Sequence, residues 1–284
     1  MFRSYFIRKL KNYLMLSLAI FVSVLAVIPL FSMLYMVIVE GGKVLLDAGL
    51  SFITELPPTP LSSSIGGVAP ALLGSVLAST LAIAISGPIA FLVAFFVTEF
   101  KNSSFSKISE VVVRSFSGIP SIIVSMFVYS TVVMRMGTQS LFAGSLSLAI
   151  VALPYAYVYF TSAMKSIPES LREAAMSLGM SRFKALRYVY VGVSKKYILT
   201  GILMSYIKAF GETAPLLFTM GFLMNSVFAG FLQPSNALPI LVFIYALSPY
   251  EVFHKVAWGA TLLLIIIYLV LFSLARSLLK GVKL

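Results

Sequence analysis

The sequence predicts an all-α, polytopic membrane protein with six transmembrane helices. Of its 284 residues, 60% are hydrophobic and only 11% are charged, and the mean hydropathy is +1.03. A soluble fold of this length cannot bury so much apolar surface. The charged residues also occur in clusters that separate long apolar runs, which is the pattern of stacked membrane spans.

The six predicted spans are the apolar runs that reach the required length. A bilayer core about 30 Å thick needs about 20 apolar residues per helix, because an unpaired backbone polar group is costly in lipid. In chain order, these runs cover residues 13–39, 70–97, 111–134, 141–163, 197–222 and 256–275. The first run is too long for a cleavable signal peptide and no small-residue cleavage site follows it, so we expect it to remain as a span.

Two segments outside these runs have predicted structures of their own. The outer segment 40–70 contains closely spaced prolines followed by serines, which indicates a loop rich in turns. It separates an N-terminal unit, residues 1–65, from a five-helix core, residues 66–284. The stretch 228–247 is apolar but interrupted by prolines, so we expect it to be re-entrant or to lie on the surface.

The positions of lysine and arginine predict the orientation of the chain. Short cytoplasmic loops are enriched in these residues, and with both termini inside the cell the outer loops contain only Lys43, Arg135 and Lys255. Both termini are therefore predicted to be cytoplasmic. The net charge of +12 follows from this topology and requires no nucleic-acid partner.

The inner segment 165–196 is predicted to form a helix-turn-helix. Pro168 and Glu169 favour the first turn of a helix, and Gly179 is placed to end it. Residues 181–188 are consistent with a second short helix, basic on one side and apolar on the other. The charge of this segment also allows an interfacial helix whose basic side chains face anionic lipid.

The same segment carries a family resemblance. Glu173-Ala174-Ala175 followed by Gly179 resembles the EAA loop of ABC importer permeases, although Gly192 stands where that loop usually ends in proline. In that family the loop forms coupling helices that dock in a groove of a cytoplasmic ATPase subunit. The residues that the resemblance implies in coupling are Glu173, Ala174, Ala175, Gly179 and Arg182.

A second string is more specific. Residues 208–219 read Lys-Ala-Phe-Gly-Glu-Thr-Ala-Pro-Leu-Leu-Phe-Thr, which is similar to a span of phosphate ABC importer permeases, and in particular of their A-type subunit. Further agreement at 66–74, 118–122 and 235–239 extends the resemblance to about residues 66–275. Lys208 departs from the family pattern, in which arginine usually occupies this position.

The resemblance implies the type I ABC importer permease fold and a transport function. The chain is expected to move inorganic phosphate, or alternatively another oxyanion such as molybdate or tungstate, as a multi-pass protein of the cell membrane. The implied partners are a second, C-type permease subunit, a dimer of cytoplasmic ATP-binding subunits and an extracytoplasmic phosphate-binding protein. ATP and Mg²⁺ belong to the ATPase subunits, and no cofactor is expected on this chain.

Lys208 and Glu212 are four residues apart in an apolar run, so on a helix they share a face and are able to pair. Such a pair either clamps two helices together or belongs to the translocation pathway, and the two roles are compatible. Because its charges nearly cancel, a phosphate dianion needs additional positive potential. Candidate sources are the partner permease, Arg114, and helix N-termini exposed by breaks at Pro120 and Pro215. The predicted pathway set is Lys208, Glu212, Thr213 and Arg114.

Other function classes receive less support from the sequence. No Gly-rich phosphate loop or catalytic triad pattern is present, so the chain is not expected to be an enzyme. An intramembrane enzyme needs convergent Asp, His or Ser groups at the membrane midplane, where the chain offers only Lys208 and Glu212. A secondary transporter is expected to show inverted repeats, and the sequence contains no convincing internal repeat. With no cysteine and a single histidine, no metal site is predicted.

Overall fold

The computed structural model describes residues 2–279, which form helices and loops and contain no strand. The helices, in chain order, are α1 Phe2–Ala48, α2 Ser51–Thr54, α3 Ala69–Glu99, α4 Ser104–Phe116, α5 Ser121–Val128, α6 Met134–Met136, α7 Leu141–Lys165, α8 Glu169–Ser177, α9 Arg182–Ala185, α10 Val191–Phe210, α11 Leu238–Ala246 and α12 Glu251–Leu279. Single π-helical turns at Tyr129–Val133 and Leu186–Tyr190 join α5 to α6 and α9 to α10. The predicted all-α class is confirmed.

The number of spans is less simple than six uniform helices. Within the described residues, four helices are long and apolar enough to cross a membrane, namely α1, α3, α7 and α12. The bent pair formed by Ser104–Phe116 and Ser121–Met136 gives a fifth if it is counted as one span. α10 is not among these helices, because any stretch of it long enough to cross the membrane contains three lysines, namely Lys195, Lys196 and Lys208.

The third predicted run, residues 111–134, is not one straight helix. α4 begins earlier, at Ser104, and meets the following helix at an angle of 99°. The break falls at Gly118-Ile119-Pro120, because proline disfavours helical backbone in the residue before it and has no N–H to donate. α4 exposes apolar Phe105 and Ile108 beside charged positions, as expected for a helix that lies along the membrane surface.

The fifth predicted run, residues 197–222, is also wrong at its outer end. α10 stops at Phe210, and no helix begins at Pro215. The segment that follows is irregular, but part of its backbone is hydrogen-bonded, because some of its carbonyls accept from the first N–H groups of α7. Leu141 donates to Gln233 at 3.0 Å and Phe142 to Phe231 at 2.9 Å. Irregular backbone at membrane depth is tolerated where protein covers it in this way.

The centre of the fold is the contact between α3 and α7. The buried residues of α3 are mostly small, and those of α7 include Gly144, Ala149, Ala152 and Ala156. Small side chains allow two membrane helices to approach closely, so that packing contacts replace the weak hydrophobic drive in lipid. At Gly144 a Cβ atom would lie 2.9 Å from Cβ of Met220, so the irregular segment is packed against the same core.

The long first helix packs on the rest of the chain only near its C-terminal end. Val37 and Val44 are buried, and a Cβ atom on Gly41 would lie 2.6 Å from the backbone oxygen of Trp258 in α12. Residues 5–33, in contrast, are exposed on all sides within the chain. The C-terminal third of α1 is therefore held by α12, while its N-terminal part makes no close contact with the core.

Candidate functional site

The helix-turn-helix predicted for residues 165–196, here called the elbow, begins with α8. Pro168 is the N-cap residue, Glu169 lies in the first turn, and the helix ends in a Schellman motif. Met180 N–H donates to the Ala175 carbonyl at 3.2 Å and Gly179 N–H to the Met176 carbonyl at 2.9 Å. Gly179 has φ +72°, which glycine adopts without strain. These local signals explain why the helix was predictable.

The second helix of the elbow is not separate. α9 continues through the π-helical turn into α10, so the basic segment is the inner end of a longer helix. Of the residues implied in coupling, Glu173, Ala174, Gly179 and Arg182 are exposed, whereas Ala175 is buried against the core. The sequence analysis missed two apolar side chains beside them. Leu178 is 77% exposed and Phe183 is 74% exposed.

Polar and cationic contacts hold the elbow against the spans. Arg172 donates from Nη2 to the Met164 carbonyl at 2.8 Å, in the last turn of α7, and its guanidinium lies 5.1 Å from the centre of the Tyr190 ring. The Tyr190 hydroxyl donates to the carboxylate of Glu99, the last residue of α3. Arg182 lies over the Phe100 ring at 4.4 Å. Both sides of the elbow therefore reach the C-terminal ends of α3 and α7.

Lys208 and Glu212 form an ion pair at the opposite end of α10. The Glu212 side chain is 13% exposed and that of Lys208 is 38% exposed. Lys208 Nζ also lies 5.1 Å from the centre of the Tyr155 ring, which is a cation–π contact with α7. A groove of about 440 Å³ adjoins the pair and is lined by Gly211 and Tyr268.

Arg114 and Thr213, the other two predicted pathway residues, are not members of this ion pair. Arg114 is on α4, where its Nε donates to Glu110 at 2.9 Å and its guanidinium lies 6.0 Å from the centre of the Tyr157 ring. It shares with Tyr155 the lining of a cavity of about 350 Å³. Thr213 is partly exposed directly after Glu212. Tyr155, which the sequence analysis missed, thus lies between the two predicted cations.

Comparison of the sequence with known protein families gives a match. The profile of the family described as binding-protein-dependent transport system inner membrane component matches residues 86–283. The chain belongs to this family. The matched part contains the elbow, α10 and the Lys208–Glu212 pair, so both clusters lie in the portion that defines the permease.

Curated relatives are similar to nearly the whole permease. It is 36% identical over 274 residues to the probable phosphate transport system permease protein PstA of Methanocaldococcus jannaschii, which covers 96% of this chain and 95% of that protein. It is 32% identical over 271 residues to the phosphate transport system permease protein PstA of Yersinia pestis, with 95% and 90% covered.

Solved structures share the fold of the permease. A chain of the MetNI methionine ABC transporter, in an inward-facing conformation, has a TM-score of 0.59 and 18% identity, covering 75% of the permease and 92% of that chain. A chain of a bacterial alginate ABC transporter has a TM-score of 0.58 and 15% identity, with 92% and 93% covered. The type I ABC importer permease fold predicted from the sequence is confirmed, as a multi-pass membrane protein.

The permease offers no evident resident metal site in the part of the chain that the structure describes, where no group of three or more His, Asp and Glu side chains could hold an ion. Its missed polar contact, between Glu99 and Tyr190, joins residues 91 positions apart. The only trace in the sequence is a carboxylate at the inner end of an apolar run, and that trace does not identify the partner. Long-range pairs of this kind require the fold.

Proposed function

We propose that the permease is the A-type membrane subunit of an ATP-driven importer of inorganic phosphate. The observation that carries the proposal is similarity along nearly the full length to relatives named as phosphate transport permeases. The geometry supports it, because the string at 208–219 places Lys208 and Glu212 together at the end of α10. The Lys208 side chain is 38% exposed and lines the groove beside the pair.

The charge balance assigns part of the pathway to another subunit. Lys208 and Arg114 are each paired with a glutamate four residues away, so neither presents a full uncompensated charge to a dianion. The N-terminus of α5, which the break at Pro120 exposes, contributes partial positive charge. The remaining potential comes from the second, C-type permease subunit across the passage.

The elbow supplies the link to ATP. The ATPase subunit docks on α8 and on the exposed apolar side chains of Leu178 and Phe183, and it binds ATP and Mg²⁺ itself. This chain therefore binds no cofactor and catalyses no reaction. An extracytoplasmic binding protein delivers phosphate to the opposite face.

The proposed topology counts α10 as the sixth span. Its Lys208 is neutralised by Glu212, which lowers the cost of a charge at membrane depth, while Lys195 and Lys196 lie at the inner interface. Six spans place both termini on the same side, and the distribution of basic residues makes that side cytoplasmic.

Reconstitution tests the proposal. The permease is co-expressed with its C-type partner and ATPase subunits, reconstituted into vesicles and supplied with the binding protein, labelled phosphate and internal ATP. We expect uptake that requires ATP and is not displaced by a tenfold excess of molybdate or tungstate. Uptake of tungstate or molybdate in preference to phosphate would refute phosphate as the substrate. Accumulation of phosphate without any ATPase subunit would refute the ATP-driven mechanism.

A further inference from the structure

Three spans meet at one point on the inner face. Arg172 of α8 bonds the carbonyl of Met164, one residue before the end of α7, and covers the ring of Tyr190, which immediately precedes α10. The hydroxyl of Tyr190 donates to Glu99, at which α3 ends. A single chain of side chains thus connects the coupling helix with α7, α10 and α3.

This connection is buried and has matched chemistry. Tyr190 is 2% exposed, and its ring packs edge-on against Phe95 of α3 with centres 5.4 Å apart. Burial, together with the neighbouring carboxylate of Glu99, raises the pKa of Tyr190, so the phenol keeps its proton and donates. The positive guanidinium of Arg172 at the C-terminus of α7 also complements the negative end of that helix dipole.

Little else holds α8 in place. Ala175 is its only buried residue, so apolar packing anchors the helix weakly. A cavity of about 490 Å³ beside it is lined by Glu99, Glu169 and Arg182, among others, and leaves room for the helix to shift. With so little packing, the position of α8 relative to the spans depends on the contacts of Arg172.

We propose that Glu99, Tyr190 and Arg172 form a positioning link that transmits displacement of the coupling helix to α3, α7 and α10 during transport. The inference rests on the proposed docking of an ATPase at α8. The three residues contact neither substrate nor nucleotide. They act by preventing α8 from moving independently of the spans when ATP closes the ATPase dimer.

Conservative variants of the reconstituted complex separate this role from a merely structural one. Tyr190→Phe keeps the ring that Arg172 covers but removes the hydroxyl, whereas Glu99→Leu removes the acceptor. Glu99→Gln keeps an oxygen that accepts the phenol proton. Tyr188→Phe is the matched control, because Tyr188 lies in the same π-helical turn and is 64% exposed.

The first readout is phosphate transported per ATP hydrolysed. We expect Tyr190→Phe and Glu99→Leu to lower this ratio at least about tenfold, the lower end of the range that corresponds to losing one hydrogen bond to a charged group, with the amount of assembled complex unchanged. Glu99→Gln should retain most of the ratio. Ratios for Tyr190→Phe and Glu99→Leu equal to that of Tyr188→Phe would overturn the link. A parallel loss of ATP hydrolysis and uptake through poor assembly would assign the cluster to stability and also overturn it.

A second readout does not depend on the substrate. The chain has no cysteine, so spin labels on Ser177→Cys in α8 and Ser104→Cys at the start of α4 report their separation directly. We expect a narrow distance distribution in the ATP-bound complex and a broad one with Tyr190→Phe. Equal widths would refute the link. Failure of the proposed function would instead appear as absent phosphate uptake by the wild-type complex, with the distances still informative.

Discussion

Removing Lys208 should destabilise the permease more than removing the whole Lys208–Glu212 pair. Lys208→Ala leaves the carboxylate of Glu212, whose side chain is only 13% exposed, without a counter-ion. Breaking a buried ion pair from one side costs about 3–5 kcal/mol. Because the Lys208 side chain is 38% exposed, we expect about 3 kcal/mol, at the lower end of that range.

The structure also predicts an order among the variants. Glu212→Ala leaves Lys208 in cation–π contact with Tyr155, an interaction of about 0.5–2 kcal/mol, and the ammonium is able to reach the surface. It should therefore be milder than Lys208→Ala. The double variant leaves no orphaned charge, so a coupling energy of about 2 kcal/mol is expected between the two sites.

Two measurements on the same preparations decide the role of the pair. Thermal unfolding in detergent gives the stability of each variant, and uptake of labelled phosphate is normalised to the inserted complex. If the pair is only a clamp, the double variant recovers both quantities. If Lys208 also meets the anion, stability recovers but uptake stays low, while Lys208→Arg retains transport. If all the single and double variants keep wild-type stability and wild-type uptake, both roles are refuted.

Three further predictions concern other parts of the chain. Gly179→Arg combines strain at φ +72° with a bulky side chain on the proposed docking surface, so it should abolish capture of the ATPase subunit in a pull-down, whereas Gly192→Arg, also in open space, should not. A reporter fused after Leu284 should be active only on the cytoplasmic side, and activity outside would refute the six-span topology. Gly211→Ala should lower thermal stability by about 1–3 kcal/mol, because its Cβ would clash with the Tyr268 hydroxyl oxygen, and Tyr268→Phe, which removes that oxygen and keeps the ring, should partly restore it. An unchanged melting temperature would contradict this packing.

The elbow and the ion pair show how far local sequence patterns reach. α8 was predictable because Pro168, Glu169 and Gly179 act on backbone within a few residues of themselves. The contact between Lys208 and Glu212 was also expected, but on the assumption that both residues lie on the same helix. Glu212 lies beyond the end of α10, so the chain turns at Gly211 before the carboxylate meets Lys208.

The breaks in the spans were harder to predict because hydropathy does not distinguish a helix from a buried loop. Residues 211–222 were included in an apolar run, yet they form turns, and carbonyls of the irregular segment that begins there cap α7. Only the partner groups make this arrangement possible in a membrane, and they lie about 90 positions away, as when Ser125 Oγ donates to the Pro215 carbonyl at 2.9 Å. A pattern of hydropathy along the sequence does not indicate which distant residues form such hydrogen bonds.

The two candidate clusters are connected by one element. α10 begins directly after Tyr190 and ends two residues beyond Lys208, and its 20 residues span about 30 Å at 1.5 Å per residue. A helix of this length without internal proline moves nearly as a rigid rod. We infer that a shift imposed on its inner end by the elbow is delivered to the ion pair at its outer end.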